Sequence, residues 1–195
     1  MNVAVTNAAE GLPRRAFSVD DIHRMLEAGI LTEDDRVELI EGDLVVMAAK
    51  HAPHEYIKHA LNMAFARAVP DDVFVAIEST LQLARDILVE PDITLISRSV
   101  YKGVGKAFAE PAPQDVRLLV EVAASSLIYD RQVKARLYAR FGIREFWVID
   151  ANERVTWVHT GPSGEGWSSI VERGPHEALT TTALPRFAIM LGEID

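Results

Sequence analysis

"ILVEPDITLI", residues 87–96, is an apolar run interrupted by two carboxylates and a proline. Read as strand, its alternation puts Leu88, Glu90, Asp92, Thr94 and Ile96 on one face and Val89, Pro91, Ile93 and Leu95 on the other. Pro91 has no N–H to give a ladder, which confines it to a strand edge, a strand start or a bulge. A charge in such a run is costly unless it is paired, hydrogen-bonded or held on a cation. The plain reading is a surface strand with a kink. The sharper reading is a rigid frame built to hold carboxylate charge.

Working outward, "VFVAIESTLQLA" (73–84) reads as the preceding strand, with Arg85-Asp86 as the turn between them. Downstream, "DVRLLVEVA" (115–123) is the most strand-like run in the chain. Val116, Leu118, Val120 and Val122 share one of its faces; Glu121 lies on the other, with Leu119 and Ala123. "YDRQVKARLYARFG" follows as a helix over about 129–141, with Val133, Leu137 and Phe141 as an apolar stripe and Tyr138 beside it. "REFWVID" is another buried strand, and "RVTWVHT", "SSIVERG" and the C-terminal stretch read as antiparallel strands joined by Gly/Pro turns.

Upstream, "SVDDIHRMLEAGIL" reads as a helix in which Ser18 and Asp21 have capping-box spacing, Ile22, Met25 and Leu26 form the apolar face and Gly29 suits the stop. "RVELIEGDLVVM" (36–47) reads as a hairpin around Glu41-Gly42-Asp43. A second helix is expected over about 53–69, with Ile57, Leu61, Ala64, Phe65 and Ala68 inward. Residues 98–115, rich in Gly, Pro, Lys and Ala, read as a mobile loop. The expected organisation is a flexible arm over 1–16 and a single domain over 17–195. Its fold class is α/β (α+β): a central mixed sheet flanked by helices, with an antiparallel β-rich C-terminal part rather than a regular βαβ repeat.

Composition narrows the function. Of 195 residues, 49% are hydrophobic, enough for a substantial core, and 20 basic against 29 acidic residues leave a formal charge of −9. That balance argues against broad adhesion to nucleic acid, while leaving room for a local basic groove or a carboxylate site for divalent metal. The absence of cysteine excludes disulfides and thiolate metal sites and fits a reducing compartment. No apolar stretch approaches the roughly 18 residues that span a bilayer, and no signal peptide is visible at the N-terminus. The expectation is a cytoplasmic protein with no membrane partner.

Adjacent strands that each carry a carboxylate can aim both at one cation, and hard oxygen ligands suit Mg²⁺ or Mn²⁺. Lys134, one turn before Tyr138, can run its stem along the core and deliver its ammonium there. Plainer readings stand beside these: Asp92 as a turn residue, Glu121 paired with Arg117 on its own face, and Lys134 paired with Asp130 at the surface. His54 shares a helix face with Ile57 and Leu61, which reads either as a capping histidine or as one turned into the cleft. Glu38 in the hairpin reads either as a polar-face strand residue or as a further acid of the same pocket.

"VELIEGDLVVM", His54, "EPDI", "LLVEVAASS", the Asp130…Lys134…Tyr138 spacing and "GIREFWVID" occur in an order that resembles the Uma2 family, also known as domain of unknown function 820. These are bacterial restriction-endonuclease-like proteins of the PD-(D/E)XK superfamily. The resemblance spans roughly residues 17–192. It implies a metal-dependent DNA endonuclease hydrolysing phosphodiester bonds, with Pro91-Asp92 and Glu121 at the metal-holding positions. Ala123 stands where the superfamily places its lysine, and the resemblance implies that Lys134 supplies the amine from the next helix. Ala124 replaces the proline common after this strand. Glu38 and His54 are the implied additional site residues. Arg131, Arg136, Arg140, Lys102 and Lys106 are the nearest basic supply for DNA phosphates. Cutting both strands would suit a homodimer. Two other functions remain open on the same residues: a catalytically silent nuclease-fold binding or regulatory module, and a metal-dependent hydrolase of a small phosphorylated substrate.

Overall fold

Glu78 and Pro91 break the two stretches that read as continuous strands, and the breaks fall where the chain passes between two compact units. In the computed structural model, residues 5–7, 11, 13–32, 34–102, 108–164 and 166–194 are described. One unit is Met1–Met47, Thr80–Glu90 and Val104–Glu110; the other is Ala48–Ser79, Pro91–Gly103 and Pro111–Asp195. Residues 73–84 become two strands in different sheets, as do residues 87–96. Glu78 sits at φ 47, a left-handed conformation that ends a strand, and Pro91 withholds a ladder donor.

In the first unit, Val5–Asn7 (β1) pairs antiparallel with Pro13–Arg15 (β2), where a loose arm is expected from sequence. Helix α1 (Val19–Glu27) begins at Ser18, whose hydroxyl accepts from the Asp21 N–H while the Asp21 carboxylate accepts from the Ser18 N–H. Val37–Ile40 (β3) and Asp43–Val46 (β4) form the expected hairpin through Glu41 and Gly42, both at positive φ, the geometry of a tight hairpin turn. Gly42 is required there, since a Cβ would come within 2.6 Å of the Ala16 Cβ. These strands join Leu81–Ala84 (β6) and Ile87–Val89 (β7) in a sheet ordered β4-β3-β7-β6. Val19, Ile22, Leu39 and Leu88 form its core.

In the second unit, helix α2 (Ala52–Ala66) precedes Val73–Ile77 (β5). Ile93–Ser97 (β8), Val116–Ala123 (β9), Glu145–Asp150 (β10), Thr156–Ser163 (β11) and Gly166–Arg173 (β12) complete a six-stranded sheet ordered β12-β11-β10-β9-β8-β5. The β9–β10 pair is parallel and the rest antiparallel, so the sheet is mixed, as the sequence implies. A parallel pair needs a crossover, here helix α3 (Leu127–Tyr129), a π-helical turn (Asp130–Lys134) and helix α4 (Ala135–Phe141), ended by Gly142 at φ 87.

Both faces of β9 are covered, which is why it reads as a nearly unbroken apolar run. On one face Leu118, Val120 and Val122 pack with Ile57, Leu61 and Phe65 of α2 and with Trp147. Phe65 stacks on Phe187 at 4.6 Å between centroids. Each such side chain contributes about 1.5–3 kcal/mol by burial. Ala68, expected inward, is exposed beyond the end of α2. On the other face Tyr138 of α4 meets Phe146 edge-on at 4.9 Å. Leu179–Thr181 (β13) and Leu184–Ile189 (β14) form the antiparallel C-terminal pair and add Leu179, Leu184 and Phe187 to the α2-side core. No helix of the described residues is long and apolar enough to cross a membrane.

Candidate active site

Strand register brings the two acids of the second unit together. The antiparallel β8–β9 ladder ends at Ile93 opposite Val120, so one further step sets Asp92 opposite Glu121. Directly opposed residues project from the same face. Asp92 does not swing free: its Oδ2 accepts from the backbone N–H of Val122 at 2.8 Å, and its own carbonyl accepts from the Glu78 N–H at 3.2 Å.

Glu121 is 3% exposed and is met by two donors from one turn of the following helix. Lys134 Nζ lies 3.0 Å and the Tyr138 hydroxyl 2.7 Å from its Oε1. Arg117, the alternative partner read from sequence, pairs instead with Asp72 at 2.5 Å. Lys134 is itself 5% exposed, with Asp130 Oδ1 at 4.0 Å, so neither belongs to a solvated helix face. The π-helical turn carries both, and such turns recur at functional sites.

His54 comes to the same place from α2. The N-cap position belongs to His51, and His54, one turn inside, is buried with Nε2 3.0 Å from Asp92 Oδ1 and Nδ1 3.1 Å from Glu55 Oε1. The neutral ring donates to one of these carboxylates; the protonated ring donates to both. The contacts continue past it. Lys58 Nζ, on a residue 3% exposed, donates to Glu55 at 2.7 Å and pairs with Glu78, which also binds Lys50 at 2.6 Å. Sequence reading missed Lys50, Glu55, Lys58 and Glu78. Lys58 carried a signal, since it occupies the inward stripe of His54, Leu61 and Phe65 at helical spacing. Glu78 carried none, because its partners lie far along the chain.

The ionisation of this network follows from its contacts. Partial burial opposes charge on Glu78, but hydrogen bonds and the charges of Lys50 and Lys58 outweigh it and bring its pKa from 4.5 to about 2. Burial likewise opposes ionisation of Glu55, and Lys58 and His54 overcome it, leaving that carboxyl below its ordinary value. Burial pushes Lys58 down, yet Glu55 and Glu78 hold it above the ordinary lysine value. A carboxyl with a depressed folded pKa contributes stability above its unfolded value and loses it as pH falls through the folded one. Glu78→Gln is therefore expected to melt below wild type at neutral pH, with the gap closing between pH 4.5 and about 2. Thermal melts of both proteins across that range measure it; a gap independent of pH would contradict it.

The other expected residues are each placed by their own element. Glu38 lies on β3 in the first unit, buried, with Oε1 accepting from the Glu90 N–H at 2.9 Å. Arg136 and Arg140 are exposed on α4, and Lys102 is exposed after a short 3-10 turn at Arg98–Tyr101. Arg131 is exposed too, with its guanidinium 3.8 Å from the Trp157 ring centroid. Lys106 lies outside the described residues.

Among the described residues no trio of His, Asp or Glu converges as a ready-made metal cage. Mg²⁺ is usually held by one or two carboxylates, with water and substrate phosphate completing its shell. Asp92 and Glu121 supply two carboxylates from opposed strand positions.

The family model described as "Uma2: Putative restriction endonuclease" matches residues 19–191. No curated protein matches the chain. Among solved structures, a crystal structure of "a putative nuclease belonging to DUF820" from Anabaena variabilis superposes with a TM-score of 0.69. The two share 14% identity over 91% of this chain and 97% of that one, a likeness of fold.

Proposed function

Because the chain belongs to the Uma2 family, a restriction-endonuclease-like group, we propose that it is a metal-dependent DNA endonuclease acting through Asp92, Glu121 and Lys134. One observation carries the reading: a buried carboxylate, Glu121, held by the Lys134 ammonium and the Tyr138 hydroxyl in the register position opposite Asp92. A structural ion pair needs no second acid beside it.

In this reading Asp92 and Glu121 hold Mg²⁺ or Mn²⁺. When bound, the cation supplies Lewis-acid charge to the phosphoryl oxygens and acidifies water. Lys134 orients the attacking water and offsets the negative charge that grows on the phosphoryl group. Tyr138 fixes the Glu121 rotamer through its hydroxyl. His54, packed between Asp92 and Glu55, keeps Asp92 from turning away. DNA phosphates meet the exposed arginines of the Arg131–Arg140 helix, and the −9 charge predicts weak, salt-sensitive binding with little sequence readout. A homodimer would supply the two sites that a double-strand break needs.

Supercoiled plasmid incubated with the protein in Mg²⁺ or Mn²⁺ tests this. Nicked or linear product that vanishes with chelator supports it. Intact plasmid alongside turnover of nucleotides would favour the hydrolase of small phosphorylated substrates, and no turnover of either would favour the binding module.

A further inference from the structure

The π-helical turn divides its residues between two environments. Asp130 and Lys134 face inward, at 3% and 5% exposure, while Arg131 and Gln132 face solvent. Arg131 nevertheless has a fixed place: its guanidinium carbon lies 3.8 Å from the centroid of the Trp157 ring. That ring is anchored in turn, its indole N–H donating to Glu172 Oε2 at 2.9 Å. A guanidinium laid on an aromatic face keeps its N–H donors in the ring-parallel plane, where they remain available to a bidentate acceptor. Among the described residues, no hydrogen bond or ion pair uses them.

Register ties this stack to the acids. Glu172 is opposite Trp157, Trp157 opposite Val148, and Val148 opposite Glu121, so one row of side chains crosses the sheet on a single face. Trp157 is two strands from Glu121, roughly 10 Å at the usual interstrand spacing. That is about three nucleotide steps along a duplex axis. Arg131 and Lys134 also leave the same turn, one aimed at Trp157 and the other at Glu121.

We propose that the Arg131–Trp157 stack is a phosphate-binding subsite, gripping a backbone phosphate of the DNA strand a short distance from the one that is cut. The proposal rests on the endonuclease reading above and adds to it a second phosphate contact, made on the solvent side of the π-helical turn where Arg131 is exposed. Stacking on Trp157 immobilises the Arg131 side chain before DNA arrives, so little rotamer freedom is lost on binding. Phosphate contact without base contact makes the subsite indifferent to sequence.

Anisotropy titration of a fluorescein-labelled duplex in chelator, over about 50–200 mM salt, tests it. Arg131→Ala is expected to bind several-fold more weakly on every sequence tried and to lower the salt slope by about one phosphate's worth. Arg131→Lys keeps the slope but loses affinity, because the ammonium does not stack as a planar fork. Trp157→Leu, which leaves the charge and removes the platform, loses affinity in the same way. Thermal melts confirm that each variant is folded. Wild type that binds DNA beside an Arg131→Ala of equal affinity and slope overturns the subsite and leaves the endonuclease reading standing. Wild type that neither binds nor cuts DNA overturns that reading, and the subsite falls with it.

Discussion

Asp92→Asn is expected to lose metal-dependent plasmid cleavage by roughly 10³-fold or more, the scale on which groups that stabilise transition-state charge act. The fold should survive the change. An asparagine oxygen can still accept the Val122 N–H, and its NH₂ can donate to Nε2 of His54 while the ring's Nδ1–H turns to Glu55. Both contacts are kept and only the charge is lost. Melting temperature close to wild type with cleavage gone is the expected result; retained cleavage would remove Asp92 from the chemistry.

Lys134→Met should damage stability and activity together. Lys134 and Glu121 are buried, and removing one partner of a buried pair leaves a charge that costs about 3–5 kcal/mol. The Tyr138 hydroxyl remains as a neutral donor to Glu121 and limits the loss. The double variant Glu121→Gln with Lys134→Met removes the Glu121 charge and should regain part of the stability while staying inactive, because buried Asp130 still lacks Lys134. Urea denaturation of the two single variants and the double reads this as a coupling energy. Additive losses, or a Lys134→Met as stable as wild type, would contradict the pairing.

The legible parts of this protein were those set by local chemistry. The Ser18–Asp21 box marked α1, and Glu41-Gly42 marked a turn whose positive φ values the structure contains. Burial on both faces made β9 unmistakable, and it was against that apolar background that Glu121 stood out. Lys134 followed, since its stem can run along the core to the preceding strand; Tyr138 read only as a flank of the apolar stripe, and its hydroxyl contact with Glu121 was not legible.

What stayed hidden depended on distant partners. An apolar alternation says which face a residue takes but not which sheet, so residues 73–84 and 87–96 each read as one strand when each supplies two sheets. Nothing local announces the positive φ of Glu78; a backbone of that kind persists where surroundings over-determine it, here through Lys50 and Lys58. The π-helical turn is equally silent in sequence, although it separates inward Lys134 from outward Arg131. His54 was visible as an ambiguity that only the position of Asp92 resolves.

Cation binding by Asp92 and Glu121 is the central claim, and titration of chelator-stripped protein with Mn²⁺, followed by electron paramagnetic resonance, tests it most directly. Saturable uptake by wild type that is lost in both Asp92→Asn and Glu121→Gln, with all three folded, is the predicted result. Equal uptake by the three proteins, or none by wild type even with DNA present, would contradict it.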